Sequence, residues 1–123
     1  MEKLLQEARS LAPEITAWYR ALHRMPETGW ILPQTSAFVR ETLKGMGISC
    51  DAPYEQHSSV TAVIPGGDGV GVALRADMDA LHIAEETGLP YAAQNGNMHA
   101  CGHDAHTAML LGAAKLLSRR AER

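Results

Sequence analysis

His99-Ala100-Cys101-Gly102-His103-Asp104-Ala105-His106 runs straight into Thr107-Ala108-Met109-Leu110-Leu111-Gly112-Ala113-Ala114, so a turn dense in metal-binding side chains opens an apolar segment. The segment reads as a helix that begins near Asp104 and continues to Leu117. It is apolar almost all round, which predicts a core helix. Such a helix needs a covered sheet beside it, and the preceding sequence offers strands. Val60-Thr61-Ala62-Val63-Ile64 is β-branched and apolar and reads as a strand. Pro65-Gly66-Gly67-Asp68-Gly69 is a turn, and Val70-Gly71-Val72-Ala73-Leu74 reads as a second strand, the hairpin partner of the first. Apolar residues on both faces predict a sheet buried beneath helices.

Further upstream, Leu4, Ala8, Leu11, Ile15, Trp18 and Leu22 recur at three- and four-residue steps and mark one helical face. Pro13 breaks this region into two helices or starts the second at its first turn. Arg24-Met25-Pro26-Glu27-Thr28-Gly29 ends it, and another helix is expected from Thr35 to Met46, closed by Gly45 and Gly47. Residues 77–99 are expected to be mainly loop. This order of elements fits an α/β sandwich. With so few strands beside so apolar a helix, the 123 residues read as the front of a larger domain.

A formal net charge of −3 leaves no excess of Lys and Arg to hold phosphates, and 5% aromatic residues give no stacking platform. Nucleic acid and anionic membranes are therefore not expected partners. No apolar run is long enough to span a bilayer, and Met1-Glu2-Lys3-Leu4-Leu5-Gln6-Glu7 lacks a secretory pattern, so a cytoplasmic protein is expected. Cys50 and Cys101 then fit as free thiols, with a Cys50–Cys101 disulfide as the competing reading.

The cluster offers five potential ligands: His99, Cys101, His103, Asp104 and His106. Thiolate and imidazole suit zinc and other borderline divalent metals. Cys101 and His103 stand two apart, so in an extended or turning backbone both reach one metal. Gly102 between them permits a tight turn. Asp104 can cap the helix through the Thr107 amide or hold a ligating imidazole in place. His106 lies at i+3 from His103, on the same helical side. A zinc finger is disfavoured, because a second Cys/His pair at finger spacing is absent. In the second motif, Leu74-Arg75-Ala76-Asp77-Met78-Asp79-Ala80-Leu81, Asp77 and Asp79 are again two apart at the end of an expected strand, where α/β sites form. Both carboxylates can face one pocket, with Arg75 to neutralise them. The plain alternative is a solvated turn.

Taken with Leu22-His23-Arg24-Met25-Pro26-Glu27, Thr35-Ser36-Ala37 and Glu85-Glu86-Thr87-Gly88, these stretches resemble the metal-dependent aminoacylase/carboxypeptidase superfamily. The closest branch holds the hippurate hydrolases, indole-acetyl-amino-acid hydrolases and N-acetyl-diaminopimelate deacetylases. The resemblance implies an α/β fold, the N-terminal part of a zinc-exopeptidase-like α/β/α sandwich catalytic domain. Residues 1–123 would be that portion, with the rest of the catalytic domain and an inserted dimerisation domain beyond them. It implies an amidohydrolase of N-acyl amino acids that uses two divalent ions, manganese or zinc, and whose full-length form is a possible homo-oligomer. Cys101 and His103 would be metal ligands, and Asp77 and Asp79 catalytic-site carboxylates that orient or support. Within the cluster, Asp104 and His106 are then better candidates for neighbours that hold the ligands than for ligands themselves.

The family's carboxylate base belongs to a Glu-Glu pair downstream of the cluster helix. Glu85-Glu86 matches a different family position and is not assigned as the base, so the 123 residues alone are expected to be inactive. His82 stands where the family usually has Pro, and Trp30-Ile31-Leu32-Pro33 replaces a more acidic stretch. His23 resembles a recurrent family histidine, while His57 and His82 are expected at the surface. Two other functions compete: a metal-binding chain without catalysis, and a hydrolase with Cys101 as nucleophile beside a histidine.

Overall fold

A computed structural model of the chain describes residues 2–51 and 58–121. The first helical region is split as Pro13 predicts, into α1 (Glu2–Ser10) and α2 (Ala12–His23). Pro13 sits at the start of α2, where a missing amide hydrogen costs no helical bond. α3 spans Pro33–Gly45. Its N-cap residue, Leu32, has no side chain able to accept a bond. Glu27 supplies the cap from outside the helix: its carboxylate accepts the Gln34 and Thr35 amides at 3.1 and 2.8 Å and the Thr35 hydroxyl at 2.8 Å. The negative charge also suits the positive end of the helix.

The last helix, α4 (His103–Ala121), packs chiefly on α2. The two approach closely at Gly112, where an added Cβ would stand 2.6 Å from Ile15 Cδ1. Lys115 pairs with Glu14 at 2.6 Å, and Arg120 with Glu7 at 2.7 Å, fastening α4 to α2 and α1. The core consists of Val39, Leu43, Ile48 and Leu111, ringed by Trp18, Phe38, Met78 and Ala114 among others.

The sheet departs from expectation. β1 (Cys50–Asp51) and β2 (Thr61–Ala62) pair antiparallel, Cys50 opposite Ala62 and Asp51 opposite Thr61. The expected strand over Val60–Ile64 is thus two residues long. Val70–Leu74 is not a strand and does not pair with it: Val70 is 96% exposed and Val72 84%. A strand is held by hydrogen bonds to a neighbour, and among the described residues none lies alongside this segment. The all-round burial expected of α4 is also corrected. Asp104, Thr107, Ala108, Leu111 and Gly112 are buried, but Met109 and Leu117 are exposed, because α1, α2 and α3 cover one side only. The fold is a mix of helices and a small sheet. None of the helices among the described residues is long and apolar enough to cross a membrane.

Residues 77–99 are irregular, as expected, apart from one bridge in which Leu81 and Met98 exchange both backbone bonds at 3.0 Å. The loop is tied to the end of α2 and the turn after it. The Ala80 amide donates to the Glu27 carbonyl at 2.7 Å, and the Asn95 and Asn97 amides donate to the Pro26 carbonyl at 2.9 and 3.3 Å. His82 is exposed and bridges Thr28 and Asn97, at 3.0 Å each. His57 lies outside the described residues.

Candidate metal centre

Gly102 turns the chain into α4 with φ +85°, a left-handed conformation that side-chain-bearing residues rarely adopt. This sharp entry puts His103 at the first position of α4 and leaves Cys101 just before it, exposed and with a free thiol. Cys50 is also free, so the disulfide alternative is not formed.

The two motifs meet at His103. Its Nδ1–H donates to the Asp79 carbonyl at 2.8 Å and to Asp79 Oδ1 at 2.9 Å. With the proton on Nδ1, a neutral ring keeps its lone pair on Nε2. Asp77 Oδ2 lies 3.9 Å from that nitrogen. The Asp77 carbonyl accepts the Thr107 hydroxyl at 3.0 Å, which pins the start of the Asp-x-Asp loop to α4. Arg75, though largely exposed, forms an ion pair with Asp77. Both aspartates lie beside His103, and their side chains stay partly open to solvent, 38% exposed for Asp77 and 45% for Asp79. His106 is exposed on the same side of α4, its ring 5.7 Å from that of His103.

Asp104 does not do what the sequence suggests. The expected cap on the Thr107 amide is absent; Oδ1 accepts the adjacent Ala105 amide at 2.8 Å. Nor does it hold a proposed ligand. Its Oδ2 accepts a 2.6 Å bond from His23 Nδ1, because the side chain turns inward toward α2 and is only 2% exposed. His23 Nε2 lies 3.0 Å from Glu85 Oε1. Glu85 is shielded from solvent and also accepts the Ala93 amide at 2.6 Å and the Thr87 hydroxyl. Burial opposes charge on His23, but bonding and attraction to Glu85 and Asp104 outweigh it and raise its pKa. Burial likewise opposes charge on Glu85, but the bonds from Thr87, His23 and Ala93 and the nearby His23 charge hold its pKa at about 2.

This triad was not legible in the motifs. His23 is 81 residues from Asp104 and 62 from Glu85, and no local spacing announces such pairs. The available signal was the recurrence of His23 in the family pattern. His99, one of the five candidate ligands, is 5% exposed with neither ring nitrogen bonded to any described residue. Burial pushes its pKa down and favours the neutral ring.

The donor set suits a borderline divalent ion: a free thiol, and an imidazole whose far nitrogen is held by a carboxylate. Among the described residues, no three His, Cys, Asp or Glu side chains converge as a coordination group. The residues thus fit as part of a metal centre, not as the whole of one.

The arrangement has known counterparts. Residues 73–123 match the model of peptidase family M20/M25/M40. It is 44% identical over 122 residues to an N-acyl-L-amino acid amidohydrolase of Geobacillus stearothermophilus, a match covering 97% of the chain and 32% of that relative. It is 48% identical over 110 residues to an N-acetyl-L-cysteine deacetylase of Bacillus subtilis, covering 88% and 26%. A crystal structure of a dinuclear metal-binding M20 peptidase from Bacillus subtilis superposes with a TM-score of 0.85 at 40% identity, covering 92% of the chain and 32% of that protein. The chain spans about a third or less of the length of the relatives it matches. The fold is that of part of an M20 α/β catalytic domain.

Proposed function

We propose that these residues supply part of a divalent-metal site that hydrolyses the amide bond of N-acyl amino acids. The observation that carries this reading is the geometry at His103. Asp79 binds Nδ1, which leaves Nε2 as a ready donor beside Asp77, two residues after the Cys101 thiol. Cys101 and His103 are the proposed ligands. Asp79 orients His103, and Asp77 holds negative charge beside Nε2 and anchors the loop to Thr107. His106 lines the same side of α4. Two ions, manganese or zinc, are proposed for the complete site. A bound divalent ion supplies Lewis-acid polarisation of the carbonyl and a more acidic water.

The carboxylate base and the other ligands are proposed to come from outside these 123 residues, in the remainder of a domain of which they form the N-terminal portion. The similarity to an amidohydrolase and a deacetylase supports an acyl group on nitrogen as the target, with hippurate-like or N-acetyl amino acids as substrates. A cytoplasmic location is part of the same proposal. The 123 residues by themselves are expected to bind metal without turnover.

The test is hydrolysis of hippurate and N-acetyl amino acids with added Mn2+, by these residues alone and by a complete M20-length polypeptide that carries them. Turnover by the longer protein that vanishes with a chelator, and in Cys101→Ser and His103→Ala, is expected. Turnover that survives a strong chelator would overturn the metal reading and favour a Cys101 nucleophile. Metal binding without turnover in the longer protein would favour the non-catalytic alternative.

A further inference from the structure

His23 belongs to neither ligand motif, yet it ties the loop after Asp79 to the helix that carries His103. It is 4% exposed, with Tyr19 and Tyr91 rings 5.6 and 5.4 Å away. Each of its nitrogens meets a carboxylate oxygen, from Asp104 at 2.6 Å and Glu85 at 3.0 Å. Ionised carboxylates only accept hydrogen bonds, and a neutral imidazole has a single N–H, so both bonds together require an imidazolium. A charge placed between two buried carboxylates compensates both, whereas removing it would leave them uncompensated.

The consequence lies one residue away. Asp104 fixes the first turn of α4 to His23 through one oxygen and to the Ala105 amide through the other. Asp79 holds the His103 ring, and the carbonyl of Glu27, four residues after His23, accepts the Ala80 amide next to Asp79. The first turn of α4, through Asp104, and the segment carrying Asp79, through Ala80, are thus both tied to the end of α2 and the turn that follows it.

We infer that His23 is a positioning residue for the metal centre: its two bonds set the first turn of α4 against Asp79, so that His103 presents Nε2 to the ion. The functional meaning rests on His103 being a ligand, but the ring's orientation does not. Long-range 1H–15N NMR of the metal-free chain at neutral pH reads the protons on each imidazole nitrogen. Expected in the wild type are a His23 protonated at both nitrogens and a His103 protonated at Nδ1 alone. In folded His23→Gln, checked by far-UV circular dichroism, His103 should become a mixture of tautomers. Binding of Co2+, read by its visible absorption, should weaken by about 10-fold or more.

Glu85→Gln keeps an acceptor for Nε2 but removes the charge, and it should shift His103 in the same direction by less. It decides the matter should His23→Gln fail to fold. A His103 that stays purely Nδ1-protonated in the folded variant, or a wild-type His23 with one proton, would overturn the inference. If Co2+ fails to bind the wild type, the metal reading falls, and the tautomer measurement still judges the role of His23.

Discussion

At the scale of single residues, the site is a matter of which nitrogen is occupied. Asp79 takes His103 Nδ1 through both its carbonyl and its carboxylate, so the ring can offer only Nε2 to a ligand. Partners of this kind on a ligating histidine typically account for 10- to 100-fold in metal affinity. Asp79→Ala should therefore weaken Mn2+ or Zn2+ binding by about that factor in a calorimetric titration, and an unchanged affinity would contradict the assignment.

The Glu85–His23 pair makes a separate prediction about pH. Glu85 titrates at about 2 instead of 4.5, so its stabilising contribution is complete above pH 4.5 and lost as pH falls toward 2. His23 is shifted upward from 6.5, so its contribution is complete below pH 6.5 and lost as pH rises through the raised value. The melting-temperature gap between wild type and Glu85→Gln should be widest between these two ordinary values and shrink in acid. A gap that is flat from neutral pH into acid would refute this. What the sequence exposed at this scale was the local chemistry. Cys101, His103, Asp77 and Asp79 declare themselves by two-residue spacing, whereas the partners of Asp104 and Glu85 are set by tertiary approach.

At the scale of elements, the helices were legible and the sheet was not. A helix satisfies its own backbone, so its periodicity, its prolines and its terminal glycines suffice to locate it. α1 to α4 fall within a few residues of expectation. A strand needs a neighbour, and the β-branched run at Val70–Leu74 states only what its side chains would tolerate. The helical contacts carry their own tests. Gly112→Val would drive a side chain into Ile15 at the α2–α4 crossing and should cost about 1–3 kcal/mol in urea denaturation. Combining it with Ile15→Ala should recover part of that loss. If Gly112→Val is neutral, the crossing is looser than described. Glu27→Ala removes the only side-chain cap on α3 among the described residues and should cost about 1 kcal/mol by the same measurement.

At the scale of the whole molecule, the covered side of α4 faces α2 and α3, while Met109 and Leu117 on α4 and Val70, Val72 and Leu74 in the expected strand remain open. The ends of these elements meet at the start of α4: the tip of α2 reaches it through His23 and Asp104, and the Asp77–Asp79 loop through His103 and Thr107. At the start of α4, Cys101 and His103 are proposed to bind one divalent ion. Titration with Co2+ tests it directly, since a thiolate bound to Co2+ produces a charge-transfer band. A saturable band is predicted in the wild type and in Cys50→Ser, absent in Cys101→Ser and weakened by about 10-fold or more in His103→Ala. A band that persists in Cys101→Ser, or no band at any Co2+ concentration in the wild type, would contradict it.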